Sequence, residues 1–346
     1  MFLEIKSRLE YQLDRLIRDI DKSYSLSKIS PVLSKHIKDY ICRKGKRIRP
    51  LLFVIGYLGF AKKPSGGLYR SALSMELLHD FLLVHDDIID KSSTRRGKPS
   101  MHAMLNNYLS AYKNIKFSGE DLAIVIGDLM YAMALHAFLS IKENPRQKEM
   151  ALKKFIAAAI YTGCGEFVEL LYGTKGIDEI KKEDIYKIYD LKTANYTFAS
   201  PLAIGATLAG APDKEVNRLF QYGLCLGRAF QIQDDILGIF SEEKETGKSN
   251  LTDLQEGKLT ILIWHAYRNA SAKDKTIIKN TLIKKSVTRN DLLNIRKIVL
   301  DSRSLNFARK EIDILTDKAT LLNRISAMKP RYKKSLDTFS KEMLTL

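Results

Sequence analysis

The chain has 346 residues, 45% of them hydrophobic, and its 57 Lys and Arg against 40 Asp and Glu give a formal net charge of +17. The hydrophobic share is enough for a sizeable core and excludes an intrinsically disordered chain, while 19 glycines and 8 prolines are too few for a turn-rich all-β fold. Three scattered cysteines, Cys42, Cys164 and Cys225, exclude a disulfide framework or a cysteine metal pair; they are expected as small buried residues in a reducing, cytoplasmic setting.

The N-terminus, MFLEIKSRLEYQLDRLIRDI, places charges every few residues and reads as a helix, not a signal peptide. The stretch GKRIRP sets Lys46, Arg47 and Arg49 between a glycine and a proline. After a loop over 61–67, residues 71–87 repeat apolar side chains at helical spacing and lead into HDDIID at 85–90. On a helix, Asp86 and Asp90 share a face and Asp87 lies about 100° around. Three like charges in five positions cost stability unless a cation sits among them. The loop 91–100 follows, carrying RRG. His85 has no HExxH partner spacing and is not expected to bind zinc.

Residues 122–139 are the most apolar long stretch, but Asp128 and His136 interrupt it. A buried core helix is expected there, not a membrane span. Loops are expected over 142–147 and 210–213, and helices over 150–171 and 219–240. Between them IYDLKT closes a helical stretch with Lys192 and Thr193. FQIQDDILG then echoes LLVHDDIID, with Asp234 and Asp235 after an apolar run, so two acidic clusters could face each other across a cavity. A polar loop over 241–258 brings Lys248 and Lys258. No alternating strand and no linker stands out, so a single all-α domain over 1–346, with ten or more helices, is predicted. The basic residues of the C-terminal hundred alternate with apolar ones, as a solvated helix face does, and no nucleic-acid signature accompanies them.

Oxygen ligands without a Cys or His cluster suit Mg²⁺, with Mn²⁺ as its substitute. Mg²⁺ usually takes one or two carboxylates plus substrate phosphates, so the expected ligand is a metal-bridged diphosphate. Arg and Lys would hold the rest of it.

In this order, GKRIRP, DDIID, RRG, KT, FQIQDDILG and the paired lysines resemble the trans-isoprenyl diphosphate synthases, also called polyprenyl synthetases, over roughly residues 40–260. The archaeal geranylgeranyl type is the most similar. The resemblance implies the isoprenoid synthase fold, a helical bundle around a deep cavity. It implies that Asp86, Asp87, Asp90, Asp234 and Asp235 hold about three Mg²⁺ against an allylic diphosphate, which Arg95, Lys192, Lys248 and Lys258 also contact. It assigns isopentenyl diphosphate to Lys46, Arg49, His79 and Arg96, and places Thr193 and Gln231 at the reacting carbons. It implies head-to-tail condensation of isopentenyl diphosphate with C5 to C15 allylic diphosphates, and a homodimer; the +17 charge adds the expectation of at most a peripheral attraction to anionic membrane.

Two positions depart from the family pattern. Gly238 stands where many members carry a third Asp, and Glu166 where many carry Gln. Product length is expected to follow the side chains before Asp86. Ideal helical steps favour Leu82 and Met75, whereas the resemblance favours Phe81, five residues before the motif. The motif lacks the two-residue insertion of the bacterial farnesyl type, so the C20 product is expected, with C15 and C25 as neighbours. A class I terpene cyclase would share the fold and Glu242 would suit its second motif, but Gly238 replaces the hydroxyl it needs and the basic stretches would be idle. A non-enzymatic helical scaffold is the remaining alternative.

Overall fold

The computed structural model describes residues 1–241 and 251–344. Among these it contains eighteen α-helices, one π-helical segment and a single pair of two-residue strands, so the all-α expectation holds. The chain divides into two compact units, Met1–Lys153 with Ile204–Pro212, and Lys154–Ala203 with Asp213–Leu346.

In the first unit, α1 (Phe2–Tyr24) turns Ile5, Leu9, Leu13, Leu16 and Ile20 inward at helical spacing. It is followed by α2 (Leu26–Ile29) and α3 (Pro31–Ile41). The latter starts at a proline, with the Ser30 hydroxyl accepting from the Leu33 N–H. Helix α4 (Ile48–Phe60) is apolar almost all round and buried accordingly. After α5 (Leu68–Ala72), helix α6 (Ser74–Ile89) carries the first aspartates. It packs along α8 (Gly119–Phe138), which α7 (Met101–Leu109) precedes. Helix α8 opens on a capping box, in which Ser118 and Asp121 satisfy each other's backbone N–H. Both α8 and α9 (Pro145–Tyr172) are apolar and long enough to cross a membrane. Helix α8 nevertheless buries Ala123, Ile126, Met130, Met133, Ala137 and Phe138, which is the behaviour of the core helix expected from the sequence.

The loop at 91–100 departs from expectation. Thr94–Arg95 (β1) pairs antiparallel with Lys98–Pro99 (β2) across a two-residue turn. Both turn residues have positive φ, Arg96 at 56° and Gly97 at 70°. That is the type I′ geometry which matches strand twist; glycine adopts it freely, and arginine only at a cost.

In the second unit, α10 (Lys182–Tyr189) runs directly into a π-helical segment, Asp190–Ala199, and on into α11 (Ser200–Leu208). The expected helix end at Lys192–Thr193 is therefore not an end. Those two residues sit in widened π-helical turns. Helix α12 (Asp213–Phe240) lies against that segment so closely that a Cβ on Gly227 would meet the Ala194 Cα at 2.5 Å. The helix Ser304–Arg324 covers another side of α12.

The cysteines correct one expectation. Cys225 is buried, but Cys42 and Cys164 are exposed. Cys42 follows the end of α3 and Cys164 lies on α9.

Candidate active site

The C-terminal end of α6 concentrates the first acidic group. Asp86 and Asp90 are half-buried and Asp87 is fully buried. A helix C-terminus carries the negative end of the backbone dipole, so three carboxylates there repel it as well as one another. The structure supplies the required cation from the protein itself. The Arg95 Nε donates to Asp87 Oδ1 at 2.6 Å, and its Nη2 lies 3.3 Å from Asp86 Oδ2. Asp87 Oδ2 also accepts from the Tyr40 hydroxyl at 3.4 Å. Burial still pushes the Asp87 carboxyl above its ordinary range, although Arg95 pulls the other way.

The hairpin turn sends the two neighbouring arginines to different places. Arg95, on β1, meets Asp86 and Asp87. Arg96, in the turn, meets a second acidic pair about two and three turns earlier on α6, with Nη2 3.5 Å from Asp80 Oδ1 and 3.6 Å from Glu76 Oε1. Glu76 belongs to the buried Arg47, whose Nη1 donates to Glu76 Oε1 at 2.7 Å and whose Nε donates to Glu10 Oε1 at 2.9 Å. Lys46 is exposed beside it, and Arg49 is half-buried in the first turn of α4. Burial, and then the arginines Arg49, Arg96, Arg95 and Arg47, push His79 well below its ordinary value. Its imidazole is therefore neutral, and can donate one hydrogen bond without adding charge.

The residues expected to gauge length lie just before. The Phe81 ring stacks at an angle on Tyr131 of α8, centroids 5.3 Å apart, and meets the edge of His85 at 4.8 Å. Leu82 is half-buried, and Met75 is buried in the core.

In the second unit, Thr193 Oγ1 donates to Gln231 Oε1 at 2.8 Å, and Gln231 Nε2 donates to Asp235 Oδ1 at 3.0 Å. The other Asp235 oxygen accepts from the Tyr189 hydroxyl, which in turn accepts the Ile261 N–H at 2.9 Å. The network engages both oxygens of the buried Asp235, whereas Asp234 is exposed. Lys192 pairs with Glu166 at 2.7 Å and with Glu169. The residue standing in place of the usual Gln thus neutralises the lysine expected to meet the diphosphate. A forked pair between Arg228 and Asp190, at 2.6 and 2.5 Å, fixes the start of the π-helical segment that presents Lys192. Lys258 pairs with Glu256 at 2.6 Å. Lys248 lies outside the described residues.

Within the first unit Arg95 meets Asp86 and Asp87, within the second Thr193, Gln231 and Asp235 form one network, and four partners come into view that the motifs did not announce: Tyr40, Glu169, Tyr189 and Asp80. Tyr189 stands three residues before Lys192 on the same helical face, which is the one sequence signal that could have found it. Among the described residues, no three Asp, Glu, His or Cys are gathered as a ready metal cage. The donor set still fits Mg²⁺, which needs only one or two carboxylates when phosphate oxygens complete its shell.

Residues 30–299 match the polyprenyl synthetase family. The geranylgeranyl diphosphate synthase of Sulfolobus acidocaldarius is 34% identical over 317 residues, covering 90% of this chain and 89% of that protein. The enzyme of the same name from Saccharolobus solfataricus is 33% identical over 76% of this chain and 75% of its own length. Among solved structures, geranylgeranyl pyrophosphate synthase from Corynebacterium glutamicum, crystallised with isoprenyl diphosphate and magnesium, superposes with a TM-score of 0.89. It covers 99% of this chain and 98% of that one at 24% identity, which speaks for the fold. The family match takes in both aspartate pairs, the arginine hairpin and the Lys192 segment, and so the chain belongs to the polyprenyl synthetase family and is a prenyltransferase.

Proposed function

We propose that the enzyme condenses isopentenyl diphosphate head-to-tail with allylic diphosphates of five to fifteen carbons and releases mainly the C20 product, geranylgeranyl diphosphate. The observation that carries this reading is the splayed arginine hairpin beside the α6 aspartates. It sets two arginines at separate places, Arg95 on the proposed metal ligands Asp86 and Asp87, and Arg96 away from them beside Asp80 and Glu76. Two substrates that each carry a diphosphate require that division. The likeness to two archaeal geranylgeranyl diphosphate synthases supports the C20 assignment.

Asp86, Asp87 and Asp90, and on the other unit Asp234 and Asp235, would hold Mg²⁺. When bound, the metal would neutralise charge building on the departing diphosphate. Asp86, Asp90 and Asp234 are the more open of the five, while Asp87 and Asp235 are buried and already hydrogen-bonded. Arg95 is held by Asp86 and Asp87 through its Nε and Nη2, and its remaining N–H groups would meet a phosphate oxygen. Lys192 is shared between Glu166 and Glu169, which set its ammonium in place. Lys46, Arg49 and Arg96 would hold isopentenyl diphosphate, with His79 as a neutral donor. Thr193 and Gln231, braced by Asp235 and Tyr189, would keep fixed dipoles near the reacting carbons.

The test is incubation with isopentenyl diphosphate, each allylic starter and Mg²⁺, followed by chromatography of the dephosphorylated alcohols. A C20 alcohol that disappears with chelator supports the reading; no consumption of isopentenyl diphosphate sinks it. Phe81→Ala removes the ring lying on Tyr131 and is expected to shift the main product to C25 or longer. An unchanged product length would move the gauge to Leu82 or elsewhere. A cytoplasmic homodimer is part of the proposal, and light scattering at working concentration tests the stoichiometry.

A further inference from the structure

Asp80 belongs to none of the predicted sets of site residues, yet it is an unusual residue to find where it lies. It is fully buried on α6, and neither carboxylate oxygen has a hydrogen-bond partner. A buried carboxylate left without partners costs several kcal/mol if charged. Arg96 stands over it, Nη2 to Oδ1 at 3.5 Å, too far for a charge-assisted hydrogen bond. The neighbouring Arg96 Nη1 is also buried without a hydrogen bond. Two groups that would bond strongly if both were charged are side by side and unbonded.

Other charged groups face the same spot. Glu76 lies one turn earlier on α6 and is bound to Arg47; Arg47 and Arg49 come from the start of α4, and the Tyr40 hydroxyl comes from α3. Burial, and next Glu76, push the Asp80 carboxyl up to about 8, with Arg96, Arg47 and Arg49 pulling against them. At neutral pH the side chain is therefore largely the uncharged acid.

We propose that Asp80 is a positioning residue for Arg96: as the neutral acid it leaves the guanidinium open to the diphosphate of isopentenyl diphosphate, and as the carboxylate it claims the guanidinium for itself. This rests on the assignment of Arg96 to isopentenyl diphosphate in the reading above. Linkage fixes the sign. An anion arriving at Arg96 disfavours a second negative charge beside it, so the bound state keeps the Asp80 proton to higher pH than the free state. Affinity then falls as pH rises through the titration of the free enzyme.

The experiment is the KM for isopentenyl diphosphate from pH 7 to 9.5, at saturating allylic diphosphate, for the wild type and Asp80→Asn, which mimics the neutral acid in shape. The wild-type KM is expected to rise about three- to tenfold across this range, on the order of one linked proton. The Asp80→Asn value stays flat, and the KM for the allylic diphosphate shows no difference between the two proteins. An equal rise in both proteins overturns the proposal while leaving the activity assigned. A wild type that consumes no isopentenyl diphosphate at any pH takes down the functional reading, and this proposal with it. Should Asp80→Asn fail to fold, titration of wild type with isopentenyl diphosphate alone at pH 8, in two buffers of different ionisation enthalpy, gives the answer. Uptake of a substantial fraction of a proton supports the role, and none removes it.

Discussion

Asp86→Ala is expected to lower kcat/KM by about a thousandfold while leaving the fold intact, the scale on which removing one preorganised charge-stabilising group slows an enzyme. The choice among the aspartates follows from geometry. Asp87 is fully buried and holds Arg95 and the Tyr40 hydroxyl, so its loss would damage packing and confuse the result. Asp86 is 23% exposed and shares Arg95 through one 3.3 Å contact. Removing it leaves Arg95 anchored on Asp87. The melting curve by circular dichroism should then coincide with that of the wild type, and raising Mg²⁺ should recover little. Activity within tenfold of wild type would show that Asp86 is no metal ligand and that the acidic cluster serves the helix end alone. Asp234→Ala, on the exposed member of the second pair, is expected to behave similarly.

The helices that carry these aspartates were legible because periodicity and chemistry coincide there. Residues 71–87 and 219–240 both repeat apolar side chains at helical spacing and carry an aspartate pair toward the end. What the sequence hid was how the charges are countered. Arg95 reaches Asp87 after the chain turns back at the end of α6, where Lys91 has φ 54° and the Ser92 N–H donates to the Asp87 carbonyl, and Arg-Gly is a weak signal for the hairpin that follows, between strands too short to alternate. The need for a cation at the aspartates was evident, but that a protein arginine meets it in the structure was not. The π-helical run at 190–199 was equally hidden. Its residues have no composition that distinguishes wide turns from ordinary ones, and its close fit on Gly227 is a tertiary fact. Glu169 is one carboxylate among many on a long helix until Lys192 is placed against it. The exposed thiols of Cys42 and Cys164 show the limit of residue-type statistics, which favour burial but give no position.

Arg47 offers the largest expected change in stability. The sequence presents it as one of three interchangeable cations in GKRIRP, but the structure separates it from the other two. Its side chain is 0% exposed, Glu76 is 2% exposed, and a 2.7 Å bond joins them. Glu10 Oε1 accepts from its Nε at 2.9 Å, and the Arg43 carbonyl accepts from Nη2 at 2.8 Å. Burial works against the guanidinium's charge, but Glu76 and Glu10 outweigh it, so it stays ionised. Four segments of the first unit thus meet on one side chain: α1, the end of α3 with its following turn, the start of α4, and α6. Arg47→Ala strands the Glu76 carboxylate without its main counter-charge, and is expected to cost about 3–5 kcal/mol, the range for breaking one side of a buried ion pair. A urea midpoint lowered at unchanged slope would register it. The double variant Arg47→Met with Glu76→Leu removes both charges and should recover much of the loss, because an apolar pair avoids the desolvation that the ion pair has to offset. If the single variant stays within 1 kcal/mol of wild type and instead raises KM for isopentenyl diphosphate, Arg47 is a substrate contact and not the pin that joins these helices.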